Sequence, residues 1–245
     1  MKAWGITDIG LVRKENQDAY MIREAASSGH MICVVCDGMG GAAGGKLASQ
    51  LAVETFTAEL ERILDRDMTP EQLREASSYA VSKANDAIRE TAKKTEGYQS
   101  MGTTLVSAVS YDGGVVITNV GDSRAYHISK HHITRVTKDH SLVERMVDRG
   151  DITAEEARRH PSRNLITRAL GPDADAQCDG YICPMEAGEY LLLCTDGLVN
   201  TVTDQEMLHE ILHRASPEDC LAHLLEISRS QGAPDNVTAV LMRNL

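Results

Sequence analysis

Five aspartates carry most of the chemistry open to this chain: Asp18 in KENQDAY, Asp37 in VCDGMGG, Asp122 in NVGDSRAY, Asp196 in LLCTDGL and Asp235 in GAPDNVT. Each sits at a turn with glycine or asparagine close by, and four of the five lie at the start or end of an apolar run. One Asp-Gly pair means little, because both are ordinary turn residues. Five acids at the mouths of strands mean more. Strand ends from one core converge in space, and clustered carboxylates repel one another where the dielectric is low. Cations relieve that repulsion. An all-oxygen ligand set suits hard ions such as Mg2+ or Mn2+, with water completing the shell. No His or Cys spacing competes with this. Cys33 and Cys36 form a C-x-x-C, but within MICVVC, a strand-like run that turns positions i and i+3 to opposite faces. These read as reduced, buried thiols, which places the chain in the cytoplasm.

The loop after Asp37 raises a rival. Gly40 to Lys46 satisfies G-x-x-x-x-G-K between a strand-like and a helix-like run, as a nucleotide-cradling loop requires. Leu47 stands where a Ser or Thr hydroxyl would bind magnesium, and the nearby hairpins argue against a parallel sheet. Asp37 would also face the nucleotide phosphates. The small residues of GGAAGG read instead as a tight turn that packs the next helix closely against a sheet.

The elements that must position these acids follow from periodicity. Residues 3–10, 19–24 and 30–37 are short β-prone runs. Helical spacing holds from Gly44 to Asp65, with Leu47, Leu51, Phe56, Leu60 and Ile63 on one side. A second helix spans 69–94, with Thr69 as N-cap, Pro70 in the first turn and Gln72 completing a capping box. Its inner stripe reads as Tyr79, Ala80, Ala84, Ala87 and Ile88. Two hairpins follow, one turning at DGG (112–114), then a helical and loop insert over 141–160. A buried strand over 189–197 ends in Asp196, helices are expected near 203–214 and 217–230, and NVTAVLMRN is a last strand. Strands, two helices, strands, two helices, strand: the order predicts an α+β fold with antiparallel sheets.

The 245 residues, 42% hydrophobic with 6 prolines and no Ser/Gly-rich linker, suit one domain over 1–245. A formal charge of -11 argues against nucleic acid as a partner. No secretory leader or membrane-spanning run is visible.

Taken in order, DIGLVRKENQD, CDGMGG, MGTT, NVGDSRAY, KDHS, ITRALG, CTDGL and APDNVT resemble the metal-dependent Ser/Thr protein phosphatases of type 2C, in particular the compact bacterial members. The ordered set spans residues 8 to 238. The resemblance implies a four-layer α-β-β-α sandwich of two antiparallel sheets flanked by helices. It implies two Mn2+ or Mg2+ ions at one edge of the sheets, with Asp37 bridging them and the Gly38 carbonyl binding one. Asp18, Asp196 and Asp235 would supply further direct or water-mediated contacts, and Asp122 matches an acid of a third, weaker site. Asp37, Asp196 and Arg13 would carry catalysis, with Arg13 gripping the substrate phosphate and a metal-bridging water attacking phosphorus. A mobile flap is expected over about 141–165. The implied partners are phosphorylated Ser/Thr proteins, including a cognate Ser/Thr kinase, and the implied state is a monomer with no membrane insertion.

Two positions depart from the family pattern. Gln17 stands where members often have Glu, and Met39 where many eukaryotic members have His. A Met cannot donate a proton; His140, a conceivable substitute acid, reads as structural. A Cys-x5-Arg phosphatase loop is absent. The alternative to an enzyme is an inactive, phosphoprotein-binding module, against which the intact Asp37, Asp196 and Asp235 argue.

Overall fold

The computed structural model of the chain describes residues 1–41, 44–94 and 96–245. Its strands are β1 (Lys2–Asp8), β2 (Asp18–Glu24), β3 (Met31–Met39), β4 (Gly102–Thr103), β5 (Leu105–Tyr111), β6 (Gly114–Val120), β7 (Arg124–Ile128), β8 (Ile133–Arg135), β9 (Asp179–Pro184), β10 (Tyr190–Cys194) and β11 (Val237–Arg243). Its helices are α1 (Gly44–Ile63), α2 (Pro70–Lys94), α3 (Leu142–Arg149), α4 (Ala154–Arg159), α5 (Asp196–Val199), α6 (Asp204–His213) and α7 (Pro217–Ser230).

Period-two alternation decides how these elements stack. In β3, Ile32, Val34 and Cys36 turn one way and pack with α1 and α2, while Cys33 and Val35 turn the other way. In β11, Val237, Ala239 and Leu241 meet α6 and α7, while Val240 and Met242 join Cys33 and Val35. Strands buried on both faces require a layer on each side. The result is four layers: α1 and α2, the sheet β2-β3-β5-β6-β9, the sheet β1-β11-β10-β7-β8, then α6 and α7. Every strand pairing is antiparallel, which removes the nucleotide-loop reading of Gly40 to Lys46. Burying each Leu, Ile or Phe of these cores contributes about 1.5–3 kcal/mol.

The expected elements hold, with local corrections. Thr69 caps α2 as read: its hydroxyl accepts from the Gln72 N–H (3.3 Å) and its own N–H donates to Gln72 Oε1 (2.9 Å). Tyr79, expected on the inner stripe of α2, is exposed. Leu73, Ala76, Ala80, Ala84 and Ile88 form that stripe. In α1, Leu47, Leu51 and Ile63 are only partly buried, and Ala48, Ala52 and Val53 take the inner positions beside Phe56 and Leu60. Strand β9 was not foreseen, nor was the one-turn helix α5 that starts at Asp196. Of the GGAAGG turn, Ala42 and Ala43 lie outside the described residues.

Antiparallel register puts the five acids at one edge. Asp18 starts β2 and stands directly opposite Asp37 near the end of β3. Asp122 follows β6, Asp196 follows β10 and Asp235 precedes β11. Neighbouring strands run oppositely, so starts alternating with ends is the order that gathers all five on the same side.

Candidate metal centre

Arg13, Asp37, Gly38, Asp122, Asp196 and Asp235 line one basin of about 550 Å³. Asp18 lies beneath it, buried against Asp37 and β10. The β3 end is fixed by its backbone. Asp37 N–H donates to Thr104 Oγ1 (2.9 Å), and its carbonyl accepts from the Thr104 N–H (2.9 Å) and Thr103 Oγ1 (2.8 Å). The glycine loop then does what close packing asks. A Cβ on Gly38 would stand 2.1 Å from the Gly45 carbonyl oxygen, and one on Gly45 would stand 2.6 Å from the Gly38 oxygen. Strand end and helix start pass backbone to backbone, where only glycine fits.

The carboxylates are electrostatically unhappy alone. Burial, then repulsion from Asp18, Asp196, Asp122 and Asp235, pushes the Asp37 carboxyl well above the ordinary range. Burial raises Asp18 to about 7, although Thr238 and Thr195 donate to it, and raises Asp122 to about 8 with help from Asp196 and Asp139. Burial and then Asp235 raise Asp196, against a hydrogen bond from Asn200 Nδ2 (3.1 Å). Like charges directly opposite in an antiparallel pair are destabilising, and Asp18 and Asp37 are such a pair. Asp18 Oδ1 and Asp196 Oδ1 are buried without any hydrogen-bond partner. Orphaned acceptor oxygens among crowded acids fit a divalent cation. No trio of His, Cys, Asp and Glu among the described residues closes into a compact ligand set. The acids instead ring an open basin, as suits ions of the magnesium type, which take one or two carboxylates and keep several waters.

Several residues hold this arrangement that the sequence did not single out. Thr195 Oγ1 donates to Asp18 Oδ2 (2.9 Å) and accepts from the Thr238 N–H (3.0 Å), tying the two sheets together under the basin. Asn236 Nδ2 donates to the carbonyls of Ile9 (2.9 Å) and Glu15 (3.1 Å), and its Oδ1 accepts from the Gln17 N–H (2.9 Å). It thereby fastens the 9–17 loop, and Arg13 with it, onto the start of β11. Arg13 donates to Asp235 Oδ2 at 2.7 Å. Gln17 Nε2 donates to the Gly41 carbonyl (2.9 Å), a bond that Glu could not make. His140 does not line the basin. Its Nδ1 accepts from the Gly121 N–H (3.1 Å), which leaves Nε2–H to donate to Asp179 (3.1 Å), the structural role expected of it.

The family model for protein phosphatase 2C matches residues 12–241. The chain belongs to the protein phosphatase 2C family. It is 33% identical over 236 residues to the serine/threonine phosphatase stp of Listeria monocytogenes, covering 96% of this chain and 93% of that one. It is 32% identical over 238 residues to the protein phosphatase PhpP of Streptococcus pneumoniae, covering 97% and 95%. The solved serine/threonine phosphatase of Streptococcus agalactiae superposes with a TM-score of 0.93 at 27% identity, over 100% of this chain and 99% of that one. This protein phosphatase 2C member therefore has the family's sandwich and is an enzyme of the phosphatase class. Nothing in its site or its relatives favours the inactive module: every acid expected at the centre is present and, Asp18 beneath it apart, faces the basin.

Proposed function

We propose that this chain hydrolyses phosphoserine and phosphothreonine in proteins, opposing a cognate Ser/Thr kinase. Asp37, Asp196 and Arg13 carry catalysis, and Mn2+ or Mg2+ is held by Asp18, Asp37, the Gly38 carbonyl, Asp196 and Asp235, with a weaker third site at Asp122. The observation that carries this is the Asp18–Asp37 pair, two directly opposed carboxyls, Asp18 buried and Asp37 half-buried at the basin, with Asp18 Oδ1 and Asp196 Oδ1 left without a partner. When bound, two such ions supply an activated water and neutralise charge on the transferring phosphoryl group. The chain's own part is orientation. Arg13 presents two donors to the phosphate oxygens, and Asp235 at 2.7 Å holds its guanidinium at the basin rim. Met39 offers no proton, and His140 has both ring nitrogens engaged away from the basin, so neither serves as acid for the leaving oxygen.

The residues from 1 to 245 act as one catalytic unit, with about 141–165 as the flap. Pairing of Ser141 with Ile166 and the Leu142 N–H on the Leu165 carbonyl (2.8 Å) close the base of that segment and support this reading. No helix among the described residues is long and apolar enough to cross a membrane; a cytoplasmic monomer is the working state we propose.

Manganese-dependent turnover of a phosphothreonine peptide tests the reading. The wild type should hydrolyse it, and Asp37→Asn should lose at least about 100-fold in kcat together with the thermal upshift that Mn2+ gives the wild type. Folded wild-type protein that leaves such peptides intact in millimolar Mn2+ would overturn the activity. Full activity in Asp37→Asn would overturn the assignment of the centre.

A further inference from the structure

An acidic chain has gathered arginines beside its basin. Arg13, Arg158, Arg159 and Arg163 line a cleft of about 520 Å³ that also includes Asn164 and Asp235. Arg13, Asn164 and Asp235 line the basin as well, so the two spaces adjoin. The chain as a whole carries a formal charge of -11, yet Asp235 is the only acid on the cleft wall among the described residues. Asp235 is already paired with Arg13 at 2.7 Å, and Arg159 with Glu155 at 3.0 Å. Arg158 and Arg163 have no ion-pair partner among the described residues.

A plainer account covers part of this. Arg158 and Arg159 lie in the last turn of α4, where cations complement the helix dipole. It does not cover Arg163, which lies beyond the helix end at His160, nor the convergence of both unpaired guanidinium groups on the cleft beside the basin. The carrier has defined local structure. Thr153 and Glu156 form a reciprocal capping box at the start of α4, and the Arg163 N–H bonds the His160 carbonyl at 3.1 Å.

We propose that this cleft receives a second oxyanion of the substrate, a carboxylate or another phosphate a short way along the peptide from the phosphoresidue being cleaved. The inference rests on the phosphatase reading of the basin. Arginine is suited to the task because its planar fork matches carboxylate and phosphate oxygens alike. The cleft is open to solvent, so each contact is worth what an exposed ion pair is worth and is screened by salt. The enzyme thus selects acidic or multiply phosphorylated segments by a modest factor, without any demand on neighbouring apolar side chains.

An acidic scan tests it. Phosphothreonine peptides of otherwise neutral sequence carry one Glu, or one phosphoserine, at successive positions on either side. At low ionic strength kcat/KM should rise about three- to tenfold at the favoured offset and fall back in high salt. The Arg158→Ala/Arg163→Ala variant should lose the preference while hydrolysing p-nitrophenyl phosphate, too small to reach the cleft, at the wild-type rate. Arg158→Glu/Arg163→Glu should turn the preference toward Lys-bearing peptides. An advantage for Glu and phosphoserine alike assigns any oxyanion; an advantage for phosphoserine alone assigns doubly phosphorylated segments. A flat scan with normal p-nitrophenyl phosphate turnover, or a preference untouched in both variants, overturns the inference alone. Wild-type protein inert toward the small ester and every peptide overturns the phosphatase reading beneath it.

Discussion

Arg13 is half exposed on the 9–17 loop, and its only described partner, Asp235, lies 222 positions along the chain at 2.7 Å. On the role proposed for it, such an arginine would bind the ground-state phosphate and the transition state alike, so its removal should appear chiefly in KM. Arg13→Ala should raise KM for p-nitrophenyl phosphate about tenfold, with kcat changed much less; steady-state kinetics in saturating Mn2+ separates the two, and an unchanged KM would remove the phosphate-gripping role. The acids were legible in the sequence because all five stand at turns and four of them border an apolar run, whereas Arg13 was legible only through the family resemblance. Thr195 and Asn236 were not. Their work is defined by partners 177 and 221–227 positions away, and a lone Thr or Asn beside a strand looks like any turn residue. Gln17 stood out in the sequence only as a departure from Glu; its amide donates to the Gly41 carbonyl.

At the scale of elements, the contact between the end of β3 and the start of α1 sets where Asp37 and the Gly38 carbonyl sit. In an ordinary helix Ala is favoured over Gly by about 1 kcal/mol. At Gly45 the sign should reverse, because the new Cβ would meet Gly38 O and Gln17 Oε1, each at 2.6 Å. Gly45→Ala should destabilise the protein by about 2–3 kcal/mol, a fall of roughly 5–10 °C in Tm, and weaken the Mn2+ response. A Tm that rises would show that the strand and helix can part freely. Helices α1 and α2 were legible from their 3.6-residue period, yet the period alone misplaced Tyr79. It borders the buried stripe, and its hydroxyl takes a hydrogen bond from Arg62 (3.2 Å) while Lys83 Nζ sits 5.3 Å from its ring. An amphipathic ring at the rim of a stripe serves both sides. Strand β9 escaped notice for a related reason. It is an edge strand whose residues are mostly half-buried or exposed, so it lacks the apolar run of an inner strand.

For the molecule as a whole, the crowded acids couple folding to protons and cations. Without metal, native Asp18 and Asp122 keep protons up to about pH 7 and about pH 8, and Asp37 and Asp196 are raised too. The unfolded chain releases the same protons near pH 4. The native state therefore binds more protons between those limits, and metal-free stability falls as pH rises through them. Burial lowers His140, which acts in the opposite sense, but its contribution is complete above its unfolded value of about 6.5. Thermal unfolding in EDTA should thus give a lower Tm at pH 8.5 than at pH 7, Asp122→Asn should flatten that slope, and Mn2+ should raise Tm most at the higher pH. A slope identical in wild type and variant would deny that Asp122 shares in the repulsion.

Strand β11 pairs with β1 in a register that sets Lys2 against Arg243, and it carries Asp235 just ahead of its first residue. Synthesis therefore delivers Arg13 222 positions ahead of Asp235, and the 9–17 loop ahead of the Asn236 amide that fastens it. A chain halted between them has that loop without its anchor and the basin without one of its walls. On the function proposed above, such a fragment should show no turnover.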